Sequence, residues 1–155
     1  MHLADILSGE SVLFRSDLKT KYDVLVALAE RAAIVTGHPA AAIFAALDGR
    51  EQLGSTGLGN GIAIPHGKVT PLKHVTAVFL RLATPVDFEA VDDQPVDIVM
   101  MLLAPIGAGA DHLKALARVA RVLRTDAVLE ALRSTADPAA LYAILTHPHE
   151  TTKAA

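Results

Sequence analysis

The sequence predicts a single α/β domain in which a central sheet is covered by helices on both faces. Two stretches, residues 75–82 and 96–103, are strand-like and apolar on both sides, as expected for strands in the middle of a covered sheet. Helical periodicity precedes and follows them. A chain of 155 residues also fits one domain and buries a core without disulfides or metals.

The elements follow in order. Residues 17–35 read as a first helix, with Leu18, Tyr22, Leu25, Ala29 and Ala32 recurring at three and four and Gly37-His38-Pro39 ending it. Residues 39–47 open a second, with proline early and Asp48-Gly49 closing it. Ile62-Ala63-Ile64 reads as a short strand before the two long ones. Asp111 is then expected to cap an amphipathic helix over 112–124. Leu113, Leu116, Ala120 and Leu123 would form its apolar stripe, and Lys114, Arg118 and Arg121 a basic stripe on a solvated face. Residues 127–132 and 138–145 give two shorter helices, and a polar, frayed tail is expected from His147.

Composition removes several functions. Apolar residues are 52% and charged residues 20%, which describes a folded globular chain and not a disordered one. A formal charge of -3 and 4% aromatics argue against nucleic acid as a partner. The absence of cysteine excludes disulfide scaffolds, thiol catalysis and thiolate metal sites, and agrees with a reducing, cytoplasmic setting. Neither a signal peptide nor an apolar run of the roughly 20 residues needed to span a bilayer is visible, so no direct membrane insertion is expected.

The chemistry concentrates in Gly57-Leu58-Gly59-Asn60-Gly61-Ile62-Ala63-Ile64-Pro65-His66-Gly67-Lys68. Glycines admit close approach of main-chain N–H groups, and Pro65 fixes the path into His66. Such a corner suits an imidazole that meets an anion or a reacting phosphorus. Two nucleotide-binding motifs fail here. The glycines fall at every second position and no helix follows, unlike a dinucleotide fingerprint. A P-loop encloses four residues between its glycines and ends Lys-Ser or Lys-Thr, whereas Gly61 and Gly67 enclose five and Val69 follows Lys68. His112, read just after the expected cap, would sit at a helix N-terminus, where the dipole disfavours an imidazolium. Arg50 beside Glu51 reads alone as an ordinary surface pair. The other histidines show no metal-ligand spacing, and Asp87, Glu89, Asp92, Asp93 and Asp97 read as solvated acids in one loop region.

The run from Arg50 through Lys68 resembles the active-site signature of the EIIA domains of the fructose/mannitol class, part of the bacterial phosphoenolpyruvate-dependent phosphotransferase system. Its wording is closest to the nitrogen-regulatory branch. The likeness continues through residues 88–97 to the helix of His112, covering most of the chain. It implies a mixed β-sheet between helices, with 1–146 as a phosphocarrier-like domain and 147–155 as a flexible tail. His66 would accept a phosphoryl group from a small HPr-like carrier, His112 would hydrogen-bond that group, and Arg50 would help neutralise it. Ser55, Thr56, Asn60 and Gly61, within the same run, are expected around the phosphate. No cofactor and no metal is implied, and the role is that of a relay component and not a classical multiple-turnover enzyme. Expected downstream partners are regulatory targets such as sensor kinases or potassium-transport proteins. A stand-alone sugar EIIA donating to an EIIB domain, and an anion-binding module that is never phosphorylated, are the alternatives. The chain stops without an EIIB-like extension, which favours the regulatory branch.

Overall fold

A computed structural model describes residues 1–147. Six strands form one sheet: β1 (Val12–Arg15), β2 (Gly57–Gly59), β3 (Ile62–Ala63), β4 (His66–Val69), β5 (Thr76–Val86) and β6 (Val96–Pro105). The order is β1-β5-β6-β3-β2, and β4 pairs with β6 farther along the same edge as β3. β5 and β6 are antiparallel, while β1 on β5 and both β3 and β4 on β6 are parallel, so the sheet is mixed. The helices are α1 (Lys21–Thr36), α2 (Ala40–Gln52), α3 (Gly109–Leu123), α4 (Asp126–Arg133) and α5 (Pro138–Thr146).

β6 shows why both faces are covered. Ile98, Met100, Leu102 and Ala104 enter one apolar core with residues of α3, α4 and α5. Val99, Met101 and Leu103 enter the other with α1 and α2. Successive side chains of a strand alternate between faces, so an unbroken apolar run demands a helical layer on each side.

Several expected boundaries shift for identifiable reasons. α1 begins at Lys21 and not at Asp17, because Thr20 and Asp23 form a reciprocal capping box: the Asp23 N–H donates to Thr20 Oγ1 at 3.0 Å and the Thr20 N–H to Asp23 Oδ2 at 3.2 Å. Gly37, with φ of 78°, ends it as expected. Tyr22, counted in the recurrence that marked this helix, is exposed, with its ring edge-on to Phe44 at 5.5 Å. α2 runs through Asp48-Gly49 for more than a turn beyond the expected stop. Ile43, Leu47 and Glu51, four apart, all bury, and this packing outweighs the weak helix preference of glycine.

α3 starts three residues early, with Ala108 at its cap and Asp111 inside the first turn. Its buried face is His112, Ala115, Val119, Val122 and Leu123, rotated from the expected stripe, and Leu113 is 67% exposed. β1, β2 and β4 were not expected as strands; each has four residues or fewer, too short to show alternation. Beyond His147, the tail expected at 147–155 lies outside the described residues.

Two glycines set how closely layers approach near the site. A Cβ on Gly67 would stand 3.0 Å from the Cβ of Ala46, so α2 packs directly on β4. A Cβ on Gly57 would stand 2.7 Å from the Cβ and 2.9 Å from the Cα of Ala90, a main-chain neighbour with little room to give. Gly57→Ala is therefore expected to lower unfolding stability by about 1–3 kcal/mol in urea titration. An unchanged midpoint would show that residues 88–92 yield without cost.

Candidate functional site

The path of residues 61–69 along β6 creates the corner. The Ile98 N–H donates to the Gly61 carbonyl at 3.0 Å and the Leu102 N–H to the Pro65 carbonyl at 2.9 Å. Between these points Pro65 has no N–H to give, so the ladder is interrupted at Ile64-Pro65. The Ile64 N–H turns the other way and donates to the Thr56 carbonyl at 3.1 Å. The Ile64 carbonyl oxygen lies 2.9 Å from His66 Nδ1. A carbonyl only accepts, so Nδ1 carries the proton, and in the neutral ring Nε2 holds the free lone pair.

Strand alternation aims the ring. Gly67 and Val69 face α2, so His66 and Lys68 face the side of α3. There the His112 ring lies 5.4 Å from that of His66, centroid to centroid, tilted by 52°. His112 is 7% exposed, and its Nδ1 is buried without a hydrogen-bond partner among the described residues. Its main-chain N–H already donates to Ala108 at 2.9 Å, so it belongs to the closed part of the helix and is not a free terminal donor as the sequence suggested. Burial lowers the pKa of His112 below its ordinary value, and positive charge on Lys68, and on the His66 ring whenever it is protonated, presses the same way. The ring is therefore neutral at pH 7.

Arg50 occupies the last turn of α2, one turn beyond Ala46, and its Nη1 donates to the Gly54 carbonyl at 2.9 Å. It hydrogen-bonds neither imidazole. Its sequence neighbour Glu51 is not its surface partner: the carboxylate is buried, 2.9 Å from Lys21 Nζ, and accepts from both the N–H and the hydroxyl of Thr56. Sequence reading missed Lys21 and Glu51. The one available signal was the spacing of Ile43, Leu47 and Glu51, which puts the acid on the core face of α2.

The remaining expected residues divide. Thr56 is buried and its hydroxyl is spent on Glu51, while Ser55 Oγ donates to the Phe88 carbonyl at 2.6 Å and accepts from the Gly57 N–H at 3.0 Å. Both lie next to the segment that carries His66 but turn their side chains inward. Asn60 and Gly61 are not near the ring. They form the β2–β3 turn at the level of Ile98, four residues back along β6 from Leu102, which pairs with His66; that is about 13 Å at strand rise. Arg133 holds this turn, donating to the Asn60 carbonyl at 2.7 Å and gripping Asp97 through Nε and Nη2. Gly61 is required there, with φ of 78° and Arg133 Nη2 only 2.5 Å from the position of a Cβ.

Thus a lone pair is presented at the sheet edge beside a buried neutral imidazole, with a guanidinium one helix turn from the strand that carries it. The chain belongs to the phosphotransferase-system family described as phosphoenolpyruvate-dependent sugar phosphotransferase system, EIIA 2, whose model matches residues 5–147. Within it, the chain is 46% identical over 151 residues to a nitrogen regulatory protein of Bradyrhizobium diazoefficiens, covering 97% of this chain and 99% of that one. It is 37% identical to the nitrogen regulatory protein of Escherichia coli K12, over 94% of this chain and 90% of its relative. The crystal structure of nitrogen regulatory protein IIA-Ntr from Neisseria meningitidis superposes with a TM-score of 0.86 at 33% identity, covering 93% and 99% of the two chains. The E. coli mannitol IIA, at 23% identity and a TM-score of 0.73 over 89% and 97%, shares the fold.

The depressed pKa of His112 has a stability consequence. Below 6.5 the unfolded chain binds a proton that the folded ring refuses. Its contribution is complete above that pH and is lost as pH falls toward the lower folded value. Unfolding free energy measured by urea titration should therefore drop on acidification below pH 6.5, and His112→Phe should flatten that drop. Parallel profiles for the two proteins would contradict a buried, neutral His112.

Proposed function

We propose that this chain is a phosphohistidine relay of a nitrogen-regulatory phosphotransferase system, with His66 Nε2 as the acceptor. The observation that carries the reading is the His66 Nδ1–Ile64 carbonyl contact of 2.9 Å, which leaves Nε2 as the nucleophile. Family membership and relatives bearing the nitrogen-regulatory name support the biological role.

In the transfer step the Nε2 lone pair forms the new P–N bond while the P–N bond on a small HPr-like donor breaks. The bonding pair of the broken bond returns to the donor's imidazole. The Nδ1 proton stays on the acceptor ring, where the Ile64 carbonyl dipole stabilises the positive charge that ring acquires. Phosphoryl transfer through a loose transition state asks mainly for alignment and charge compensation. His112, neutral, donates one N–H toward the phosphoryl oxygens, and Arg50 offers the donors not engaged by Gly54. Ser55, Thr56, Asn60 and Gly61 serve the phosphate indirectly, by holding the loop and turn that lead into His66.

The phosphorylated and free forms then differ by a surface dianion beside α3. Regulatory targets, of the kind represented by sensor kinases or potassium-transport proteins, would read that difference. The reading implies a cytoplasmic protein, because phosphoenolpyruvate, the ultimate donor, is an intracellular metabolite. Among the described residues no helix is long and apolar enough to cross a membrane.

Incubation with phosphoenolpyruvate, the first enzyme of the system and its small carrier should add one acid-labile phosphoryl group. His66→Ala should abolish it with the fold intact. His112→Ala should slow transfer in both directions by on the order of a hundredfold, the cost of losing one transition-state donor. An unlabelled wild type alongside demonstrably active carriers would favour an anion-binding module. Efficient onward transfer to an EIIB domain would favour a sugar EIIA.

A further inference from the structure

Behind the corner lies a buried charged set whose side chains do not touch His66. The Glu51 carboxylate is 2% exposed and takes its hydrogen bonds and ion pair from Lys21 and Thr56. Oε1 accepts from Lys21 Nζ at 2.9 Å and from the Thr56 N–H at 3.2 Å, and Oε2 accepts from the Thr56 hydroxyl. Lys21 is itself packed over the Phe88 ring, 4.9 Å from its centroid, and reaches Glu89 at 3.3 Å. A buried carboxylate with one cation and two further donors has a narrow choice of geometry, because moving any member leaves a charge or a polar group unpaired. The set joins the first turn of α1, the last turn of α2 and the loop entering β2.

The direction in which it pulls is what matters. Thr56, pinned through both its N–H and its hydroxyl, presents its carbonyl to the Ile64 N–H at 3.1 Å. Ile64 in turn presents its own carbonyl to His66 Nδ1 at 2.9 Å. The Thr56 contact anchors the Ala63–Ile64 peptide, which joins the Ile64–Pro65 peptide at the Ile64 Cα. The second peptide has no N–H of its own to anchor, so the aim of its carbonyl follows from how the first is held. Arg50 and Ser55 brace the same loop, through the Gly54 and Phe88 carbonyls.

We infer that Lys21, Glu51 and Thr56 form a positioning set that fixes the tautomer and aim of His66 through the backbone of Ile64. The set acts in the ground state, before any phosphoryl group arrives. The inference rests on His66 being the acceptor only for its kinetic consequence; its effect on the ring is measurable without phosphate.

The test compares Glu51→Gln, Thr56→Val and Thr56→Ser with the wild type in the full chain. Nitrogen-15 NMR of the His66 ring, melting temperature and steady-state phosphoryl uptake are followed together. Glu51→Gln keeps the shape but removes the charge that holds Lys21, and Thr56→Val keeps the shape but removes the hydroxyl donor. Both should convert His66 from one Nδ1–H tautomer to a mixture. Uptake kcat should fall roughly tenfold or more, with KM for the carrier within about twofold, as expected for misalignment without loss of docking. Thr56→Ser, which retains the hydroxyl, should restore the wild-type tautomer and rate. Lower melting temperatures with an unmoved His66 tautomer and unchanged kcat would overturn the inference and leave the set a purely structural clamp. Where Glu51→Gln does not fold, the Thr56→Val and Thr56→Ser pair decides by the same readings. If the wild type takes up no phosphate, the proposed function fails; the tautomer shift still decides the positioning claim separately.

Discussion

His66 Nδ1 and the carbonyl oxygen of Ile64 stand 2.9 Å apart, and the rest of the site is arranged around keeping that contact. An unconstrained neutral histidine divides its proton between two nitrogens and swings about its side-chain torsions. Here the proton is assigned to one nitrogen and the other is left at the sheet edge. The contact exists because β6 pairs first with β3 and then with β4 along one edge, with Ile64-Pro65 spanning the gap. A regular strand through this region would have engaged the Ile64 carbonyl elsewhere. Proline, by lacking an N–H, makes the interruption stable.

The electrostatics around the ring are restrained. His112 is close, but burial keeps it neutral, so it can orient an anion without holding it as a full cation would. Arg50 is tied to a carbonyl and not packed against the imidazole. The strongest charge pairing nearby, Lys21 with Glu51, is turned inward and satisfied internally. A relay must release its cargo as readily as it receives it, and a site built of one neutral donor, one tethered guanidinium, main-chain dipoles and a solvent-exposed lysine, Lys68, suits that balance better than a cluster of buried cations.

Much of this was legible in the sequence, for physical reasons that differ by residue. The two long strands showed themselves because burial on both faces leaves no polar position. His66 stood out because glycines, a proline and a lysine all gather around one imidazole, which is more than a tight turn alone requires. The phase of α3 was misread because Leu113, a large apolar residue, lies on its exposed face, while His112 and Ala115 lie on its buried one. Asn60 and Gly61 were grouped with the site by their closeness in sequence. The intervening strand β3 carries the chain away from that turn before His66 is reached. Glu51 looked like a surface partner of Arg50, since adjacent residues of opposite charge suggest a pair. On a helix they point about 100° apart, and the acid went to the core. Lys21, thirty positions earlier, carries no local sign of the pairing.

The most direct measurement is a combined phosphorus-31 and nitrogen-15 NMR spectrum of the protein after phosphorylation by the carrier. Coupling should connect one phosphorus to Nε2 of His66, with Nδ1 still protonated and its proton shifted as expected for a hydrogen bond to a carbonyl. A phosphoryl group on Nδ1, on His112 or on no histidine at all would contradict the assignment of Nε2 as the reacting atom.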